Sequence, residues 1–289
     1  MNAGTLNLLP RWVRDNTVYD MVLTNDLDSL ISCAVLSKAN NWVIKYFYDF
    51  KKVYHTDALN KENAHSRVWV DCAVLKIRDK YEKGFDNHVT MLSTDDYKNP
   101  ELVNLNNIYD ITTECREDYL TKYNLSTALL VWSLYNIPIP KSEEGKMVLL
   151  AVDSSHKGFY SKYENDRQRN KHWLVDILEF PELYECLQRH TEQDFKDIIK
   201  KYNLAREIKL EWDSFEDFFG ERIYDEWLEI ISNEIEISLA LPTDKFVEWK
   251  SYKTNYKQIN WEENKDEINS KLFSLAVTGY NKISYSYIA

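Results

Sequence analysis

Two aspartates, Asp26 and Asp28, lie where a short apolar segment passes into a segment with helical spacing. Carboxylates at this spacing repel each other unless a cation lies between them. Either residue could instead cap the N-terminus of the helix, where aspartate is favoured. The pair by itself therefore leaves two interpretations open, a metal site and a helix cap.

Two further aspartates follow apolar segments farther along the chain. Asp71 comes directly after a predicted strand at residues 68–70, and Asp153 follows an apolar run at residues 147–152. A single aspartate after a strand is a common turn former, but ligands of α/β sheets bind beyond the carboxyl ends of strands. Bridging carboxylates can hold two divalent ions that clamp the oxygens at a reacting phosphorus. The set predicts a divalent-metal site with the ligands Asp26, Asp28, Asp71 and Asp153.

The elements that must position these residues alternate between strands and helices in the first half of the chain. The apolar patterns predict strands at residues 19–24, 42–47, 68–70, 80–86 and 108–111, and helices at 26–39 and 117–136. Such alternation indicates a parallel α/β sheet. In this arrangement Asp86, Asn87 and His88 follow the fourth strand, on the same side as Asp71.

The second half of the chain has a different character. A polar stretch at residues 165–171 is a candidate linker, helices are predicted at 181–202 and 221–239, and residues 272–288 read as a closing β-hairpin. The predicted fold class is therefore α/β. It comprises a parallel-sheet N-terminal domain at residues 1–160 and a smaller, mainly helical α+β lobe at 161–289.

Composition restricts the class of ligand. The 289 residues carry 36 basic and 47 acidic side chains, a formal charge of −11, and no long basic run. Binding along a nucleic-acid duplex needs a basic face, so a long duplex is disfavoured. A small phosphorylated ligand remains compatible, because bound metal ions can supply the local positive charge.

Composition also restricts the compartment. The four cysteines lie far apart without a C-x-x-C pair, which favours free thiols in a reducing cytoplasm. The first residues lack a basic segment followed by a long apolar one, and no apolar run approaches the ~20 residues of a spanning helix. We expect a soluble cytoplasmic protein that has no membrane partner.

The ordered set of motifs resembles the DHH phosphoesterase superfamily, which includes RecJ-like exonucleases, nano-RNases, cyclic-dinucleotide phosphodiesterases and family II pyrophosphatases. The segment NDLDSLISCAVL is similar to motif I of that superfamily, and VWVDCAV is similar to motif II. The segment GFDNHVT is similar to motif III, the Asp-His-His motif, and LLAVDSSHKGFY is similar to motif IV. The resemblance covers residues 18–160 and implies a DHH-type domain there.

The resemblance also implies roles for individual residues. Asp26 and Asp71 would bind one metal ion, and Asp28, Asp71 and Asp153 would bind a second one. His88 matches the second histidine of motif III, which contacts the phosphate, so His88 and Asp28 are the expected catalytic residues.

Some positions depart from the family pattern. Thr24 stands where motif I has a histidine ligand, and Asn87 replaces the first histidine of motif III. The chain has no two adjacent glycines, so it lacks the glycine-rich substrate clamp of the family's second domain. The remaining oxygen donors suit Mn²⁺ or Mg²⁺. Thr24, Asn87 and His156 are candidate additional contacts, with a surface position as the other interpretation of His156. The other histidines, which lack metal-like spacing, are His55, His65, His172 and His190.

The expected function is metal-dependent hydrolysis of a small phosphodiester, either a short oligonucleotide or a cyclic or linear dinucleotide. The alternative is a catalytically inactive relative that binds nucleotides or a protein partner, which the replacements at Thr24 and Asn87 favour. A structural or assembly protein that reuses the fold is a third interpretation. The sequence leaves the oligomeric state open.

Overall fold

The computed structural model describes residues 1–62, 64–77, 80–217, 219–259, 268, 271–279 and 281–288. The strands are Asp20–Thr24 (β1), Val43–Tyr48 (β2), Lys52–Thr56 (β3), Arg67–Val70 (β4), Lys76–Ile77 (β5), Lys80–Tyr81 (β6), Lys83–Phe85 (β7), Leu102–Val103 (β8), Phe246–Gln258 (β9), Leu272–Gly279 (β10) and Lys282–Ile288 (β11). The helices are Ala3–Leu8 (α1), Leu27–Asn40 (α2), Leu105–Ile108 (α3), Arg116–Tyr119 (α4), Thr127–Leu134 (α5), Glu143–Ala151 (α6), Glu164–Lys171 (α7), Pro181–Arg189 (α8), Glu192–Lys201 (α9) and Asp225–Ile235 (α10).

The strands form a mixed sheet, in the order β10-β11-β9-β3-β2-β1-β4-β7-β8 within the described residues. In one half of this sheet the neighbours β2-β1-β4-β7-β8 are parallel to one another. In the other half the neighbours β2-β3-β9-β11-β10 pair in antiparallel fashion. The predicted α/β class is confirmed, whereas the predicted parallel sheet is correct only for one half. β3 follows β2 after three residues, and such a short connection permits only antiparallel pairing.

The central parallel strands and the helix after β1 agree with the predictions. Every residue of β1 is buried, as expected for a strand covered on both faces. Asp26 caps α2, and Asn41 ends it in the left-handed conformation. The predicted C-terminal hairpin is also confirmed by the antiparallel pairing of β10 with β11, although residue 280 at its turn lies outside the described residues.

Several predicted elements are wrong. The apolar run at 147–152 precedes Asp153 as predicted strands precede Asp26 and Asp71, which implied a strand there, but it is the buried end of helix α6. A short apolar run has the same pattern in a buried strand and in a buried helix. Residues 108–111 lie at and beyond the end of α3 and form no strand. The single helix predicted at 117–136 is two helices, since Ser126 caps a new one at α5.

The second half differs from its prediction in similar ways. The candidate linker at 165–171 is helix α7, and the helix predicted at 181–202 divides into α8 and α9 around Thr191, which caps α9 in a capping box. The helix predicted at 221–239 is the shorter α10. Strands β9 to β11 extend the main sheet, and one core combines side chains from both sides of residue 160, including Leu30, Val148, Leu183 and Ile231. The division at residue 160 and the DHH-type arrangement remain predictions.

The edge of β10 that does not pair with β11 forms hydrogen bonds with the loops that follow β4 and β7. The N–H of Leu275 donates to Ala73 O at 3.1 Å, and the N–H of Val277 donates to Val89 O at 2.9 Å. The C-terminal hairpin thereby holds the two loops that carry Asp71 and His88. Among the described residues, no helix combines the length and apolar character that a membrane crossing requires.

Candidate metal centre

Three of the acidic positions follow adjacent parallel strands. Asp26 comes after β1, Asp71 directly follows β4, and Asp86 directly follows β7. Because β1, β4 and β7 are neighbours with the same direction, these residues meet at one edge of the sheet. Asp153 arrives from the end of a helix, α6, and not from a strand as predicted.

Asp26 and Asp28 have different partners at the start of α2. Asp26 Oδ1 accepts the N–H of Ser29 at 2.9 Å, so the helix-cap interpretation holds for it. The carboxylate of Asp28 accepts the N–H groups of Thr127 at 2.9 Å and Ala128 at 2.7 Å, the first two residues of α5. The positive end of a second helix therefore faces Asp28.

Asp71 and Asp153 both lie in the left-handed region of the backbone. Asp71 has φ 57°, and Asp153 and Ser154 have φ 46° and 59°. A residue with a side chain is uncommon there, and each such conformation costs of order 1–3 kcal/mol. Thr127 donates its hydroxyl to Asp71 Oδ1 at 2.7 Å, which fixes the buried carboxylate. Two of the four predicted ligands are thus held in a costly backbone conformation.

The four carboxylates are close enough to perturb one another. Burial raises the pKa of Asp28 well above its ordinary value, and the charges of Asp153 and Asp26 raise it further. Burial also raises the pKa of Asp71, followed by the charges of Asp26, Asp28 and Asp153. Asp28 and Asp71 are only 4% and 7% exposed, Asp26 is partly exposed, and Asp153 is exposed to solvent. The four predicted ligands therefore lie near enough to one another to interact through their charges.

No lysine or arginine of the described ranges forms an ion pair with any of these four aspartates. Buried charges are normally paired or coordinate metals. Within the described residues, the four aspartates therefore lack a lysine or arginine ion-pair partner, and a bound cation would balance their charge.

His88 is held beside the cluster by Asp86, a residue that the sequence analysis named without a role. Asp86 is fully buried, and its carboxylate accepts both the backbone N–H of His88 at 2.9 Å and the ring Nδ1–H at 3.0 Å. Asn104 Nδ2 donates to the same carboxylate at 2.8 Å. Donor atoms of Asp71, Asp86 and His88 all lie within 4.8 Å of one another.

The imidazole of His88 carries a positive charge at neutral pH. Burial alone lowers its pKa, but the charge and hydrogen bond of Asp86 outweigh burial and raise the pKa to about 9. Since Nδ1–H donates to Asp86, the Nε2–H is the donor that a ligand can use. The arrangement offers an anion one oriented, cationic hydrogen-bond donor.

Asn87 has the contacts of a residue that supports a metal site. Its Nδ2 donates to Leu125 O at 3.0 Å and to Asp153 Oδ2 at 2.5 Å. Asn87 is 8% exposed, and its Oδ1 has no partner among the described atoms; the same holds for the buried Oγ of Ser32 in α2. Buried polar atoms rarely remain unpaired. Carboxylate and amide oxygens suit a hard divalent cation, so the donor set fits Mg²⁺ or Mn²⁺.

The other two candidate contacts lie apart from the carboxylates. The buried hydroxyl of Thr24 approaches the backbone oxygens of Val70 and Asp71 at 3.5 Å. His156 is 1% exposed and stacks on Phe195 with ring centroids 4.7 Å apart, so the surface interpretation is wrong. In the described part of the chain, no hydrogen bond or ion pair links His156 to the four aspartates.

A cavity of about 210 Å³ opens against the carboxylates. One wall carries Asp26, Asp28 and Asp153, and the facing wall is apolar, with Ile199 and Leu204. The N–H of Ile208 donates to Asn25 O at 2.8 Å, which ties the apolar wall to the start of α2. Pockets for drug-sized ligands are about 300–1,000 Å³, so this cavity fits a small group.

No protein-family model, curated protein or solved structure matches this chain. The resemblance to the DHH superfamily therefore depends on the four motifs alone, and the chemistry of the site is argued from its geometry.

Proposed function

We propose that this protein is a metal-dependent phosphoesterase that hydrolyses a small phosphodiester with the help of Mn²⁺ or Mg²⁺. The observation that carries the proposal is the convergence of four carboxylates from distant segments, with no ion-pair partner in the described chain, beside the cationic His88. Carboxylates crowded in this way stay ionised when a cation lies between them. A phosphoryl group adds further negative charge, which such a centre can neutralise.

Divalent ions at the carboxylates would supply an activated water and neutralise charge on the phosphoryl oxygens. The chain contributes the remaining groups. His88 donates its Nε2–H to a phosphoryl oxygen, and this hydrogen bond strengthens as charge develops in the transition state. Asp86 is a positioning residue, because it holds the imidazole ring in its donor orientation. Asn87 holds the exposed carboxylate of Asp153 in place.

The size and charge of the site favour a small substrate. The cavity of about 210 Å³ is lined by Asp26, Asp28 and Asp153 but not by Asp71 or His88, and its volume suits one phosphoryl group, so the rest of a substrate would lie outside it. The formal charge of −11 disfavours long nucleic acids. A short oligonucleotide, or a cyclic or linear dinucleotide, satisfies both conditions.

The test is a hydrolysis screen of linear dinucleotides, cyclic dinucleotides and pyrophosphate with Mn²⁺ or Mg²⁺. We expect metal-dependent release of product, lowered at least 10²-fold in kcat by Asp71→Asn, as for other groups that stabilise charge in the transition state. The matched control is Asp95→Asn, which changes an exposed aspartate outside the proposed ligand set and should leave kcat unchanged. Equal rates in Asp71→Asn and the wild type would contradict the proposal.

Specific observations also favour the alternative of a binding protein without turnover. Asn87 and Thr24 stand where the resembled family has imidazole ligands, and Thr24 is turned towards backbone oxygens. Under this alternative, calorimetry would detect Mn²⁺ binding that Asp71→Asn removes, and nucleotide binding without product. Turnover that depends on Asp71 excludes it.

A further inference from the structure

We propose a second metal site, for Zn²⁺, formed by Glu143, Cys186 and His190. One carboxylate oxygen, the sulfur and one ring nitrogen of these residues all lie within 4.8 Å of one another. Thiolate and imidazole donors select Zn²⁺ over the hard ions that suit an all-oxygen site. This inference is independent of the proposed phosphoesterase activity.

Local structure brings the three donors together. Cys186 lies in α8, and His190 follows four residues later at the end of that helix, so their side chains share one face. Glu143, the first residue of α6, places Oε1 at 3.2 Å from His190 Nε2. Tyr160 donates its hydroxyl to His190 O at 3.0 Å and fixes the backbone there. The site therefore joins α6 to the corner between α8 and α9.

The second nitrogen of His190 faces a carboxylate. Its Nδ1 lies 3.8 Å from Asp194 Oδ2. That oxygen is held in turn by the capping box of α9, where it accepts the N–H of Thr191 at 2.7 Å and its hydroxyl at 2.8 Å. Metal-bound histidines commonly direct their other nitrogen at a carboxylate in this way. The arrangement favours Nε2, the atom facing Glu143, as the ligand.

Arg189 supplies the competing explanation, because it also binds Glu143. Its Nε donates to Oε1 at 2.8 Å and its Nη2 to Oε2 at 3.0 Å, so the cluster could be an ion-pair network alone. A carboxylate has about four lone-pair sites, and this pairing leaves acceptor capacity on Oε1. Ligating carboxylates are usually hydrogen-bonded by such outer partners. Arg189 therefore orients Glu143 without closing the site.

Binding of Zn²⁺ at this site conserves protons and leaves no net charge on the ion and its two anionic ligands. The Cys186 thiol releases one proton to solvent, and the resulting thiolate and the Glu143 carboxylate together neutralise one Zn²⁺. Three protein ligands leave a fourth position for water. Because the ion would link two helices, Zn²⁺ should stabilise the folded state, and the free energy of unfolding should rise with the logarithm of the Zn²⁺ concentration above its Kd.

The test uses Co²⁺ as a spectroscopic substitute for Zn²⁺ in the reduced, full-length protein. We expect one equivalent of Co²⁺ to give a sulfur-to-metal charge-transfer band in the near ultraviolet that Zn²⁺ abolishes by displacement. Cys186→Ser should remove the band. Cys115→Ser, which changes an exposed cysteine, is the matched control and should keep it.

A second variant guards against a folding defect at the buried Cys186. His190 is partly exposed, and His190→Gln keeps the pairing of Glu143 with Arg189, so folding should be preserved. We expect this variant to lose at least about 10-fold in Co²⁺ affinity, since even outer-shell changes cost 10–100-fold. Absence of the band in the wild type, its persistence in Cys186→Ser, or unchanged affinity in His190→Gln would each overturn the proposal.

Discussion

At the scale of single residues, Asp71 shows the conflict between stability and metal binding most directly. Burial and four neighbouring carboxylates raise its pKa, so its charge destabilises the metal-free fold. We expect Asp71→Asn to raise the free energy of unfolding at pH 7 in EDTA by at least about 1 kcal/mol, since each pH unit of pKa shift is worth about 1.4 kcal/mol. Asparagine tolerates φ 57° and keeps an acceptor for the Thr127 hydroxyl. Urea denaturation measures the change.

The same substitution should remove the stabilisation that Mn²⁺ gives to the wild-type protein. Asp95→Asn is the control, because a change at an exposed aspartate usually stays within about 0.5 kcal/mol. If Asp71→Asn destabilised the metal-free protein, the crowding of carboxylates inferred here would be wrong.

His88 offers a test of its pairing with Asp86. The carboxylate of Asp86 opposes burial and raises the pKa of His88 to about 9. Asp86→Asn removes the charge but leaves an oxygen for the ring N–H, so we expect the midpoint to fall by more than about one pH unit. Proton NMR titration of the imidazole measures it, with the partly exposed His172, which pairs with Asp176, as internal reference. An unchanged midpoint would mean that Asp86 does not hold the charge of His88.

At the scale of elements, the N-terminus of α5 serves two of the predicted ligands. Its first two N–H groups donate to Asp28, and the hydroxyl of Thr127 donates to Asp71. Asp28→Ala and Asp28→Asn both remove the charge, but alanine leaves both N–H groups without an acceptor, whereas the single oxygen of asparagine accepts one of them. We expect Asp28→Asn to be more stable than Asp28→Ala by about 1–2 kcal/mol. Hydrogen exchange at Thr127 and Ala128 locates the effect, and equal stabilities would contradict this role of α5.

The sequence predicted the elements with long, regular patterns and missed those that depend on tertiary contacts. β1 and α2 are clear because a buried strand passes directly into a capped helix. α6 was mistaken for a strand ending at Asp153, since only the fold shows on which side its apolar run packs. The antiparallel half of the sheet was also missed, because pairing of β3 with β9 joins residues almost two hundred positions apart.

The sites were predictable to different degrees. The four aspartates could be chosen from their positions after apolar segments and from the motif order, although Asp86 was given no role. Cys186 and His190 have a helical spacing that is visible in the sequence, but Glu143 is distant, so the cluster of three emerges only when α6 packs against α8. Local patterns indicate single ligands, and long-range packing decides which ligands meet.

At the scale of the whole molecule, the buried carboxylates give stability a characteristic pH dependence. Because the pKa values of Asp26, Asp28 and Asp71 are raised, the folded state binds more protons than the unfolded state above pH 4. Their contribution to stability therefore falls as pH rises, by at most about 1.4 kcal/mol per pH unit for each group. Partly exposed acids with lowered pKa values, such as Glu143 and Asp194, act in the opposite direction.

The difference in unfolding free energy between Asp71→Asn and the wild type isolates the contribution of Asp71 to this pH dependence. The gap in unfolding free energy between Asp71→Asn and the wild type should widen from pH 4 to pH 7 in EDTA, because only the wild type titrates at residue 71. Saturating Mn²⁺ should close or reverse the gap. A gap that is constant with pH would show that the pKa of Asp71 is not raised in the folded state.

The continuity of the sheet makes a final prediction about the predicted boundary at residue 160. A fragment of residues 1–160 would expose the edge of β3 that pairs with β9, and would lose the β10 contacts to Ala73 and Val89 beside the metal centre. It would also uncover the core face that α8 and α10 bury through Leu183 and Ile231. We therefore expect the fragment to lack a cooperative unfolding transition and to lose Mn²⁺ binding, whereas the full chain should unfold cooperatively and bind Mn²⁺. Scanning and titration calorimetry on the two proteins measure these two properties. A cooperative fragment that still binds Mn²⁺ would show that the N-terminal region is an independent domain, and that β9 to β11 only attach to a site already complete without them.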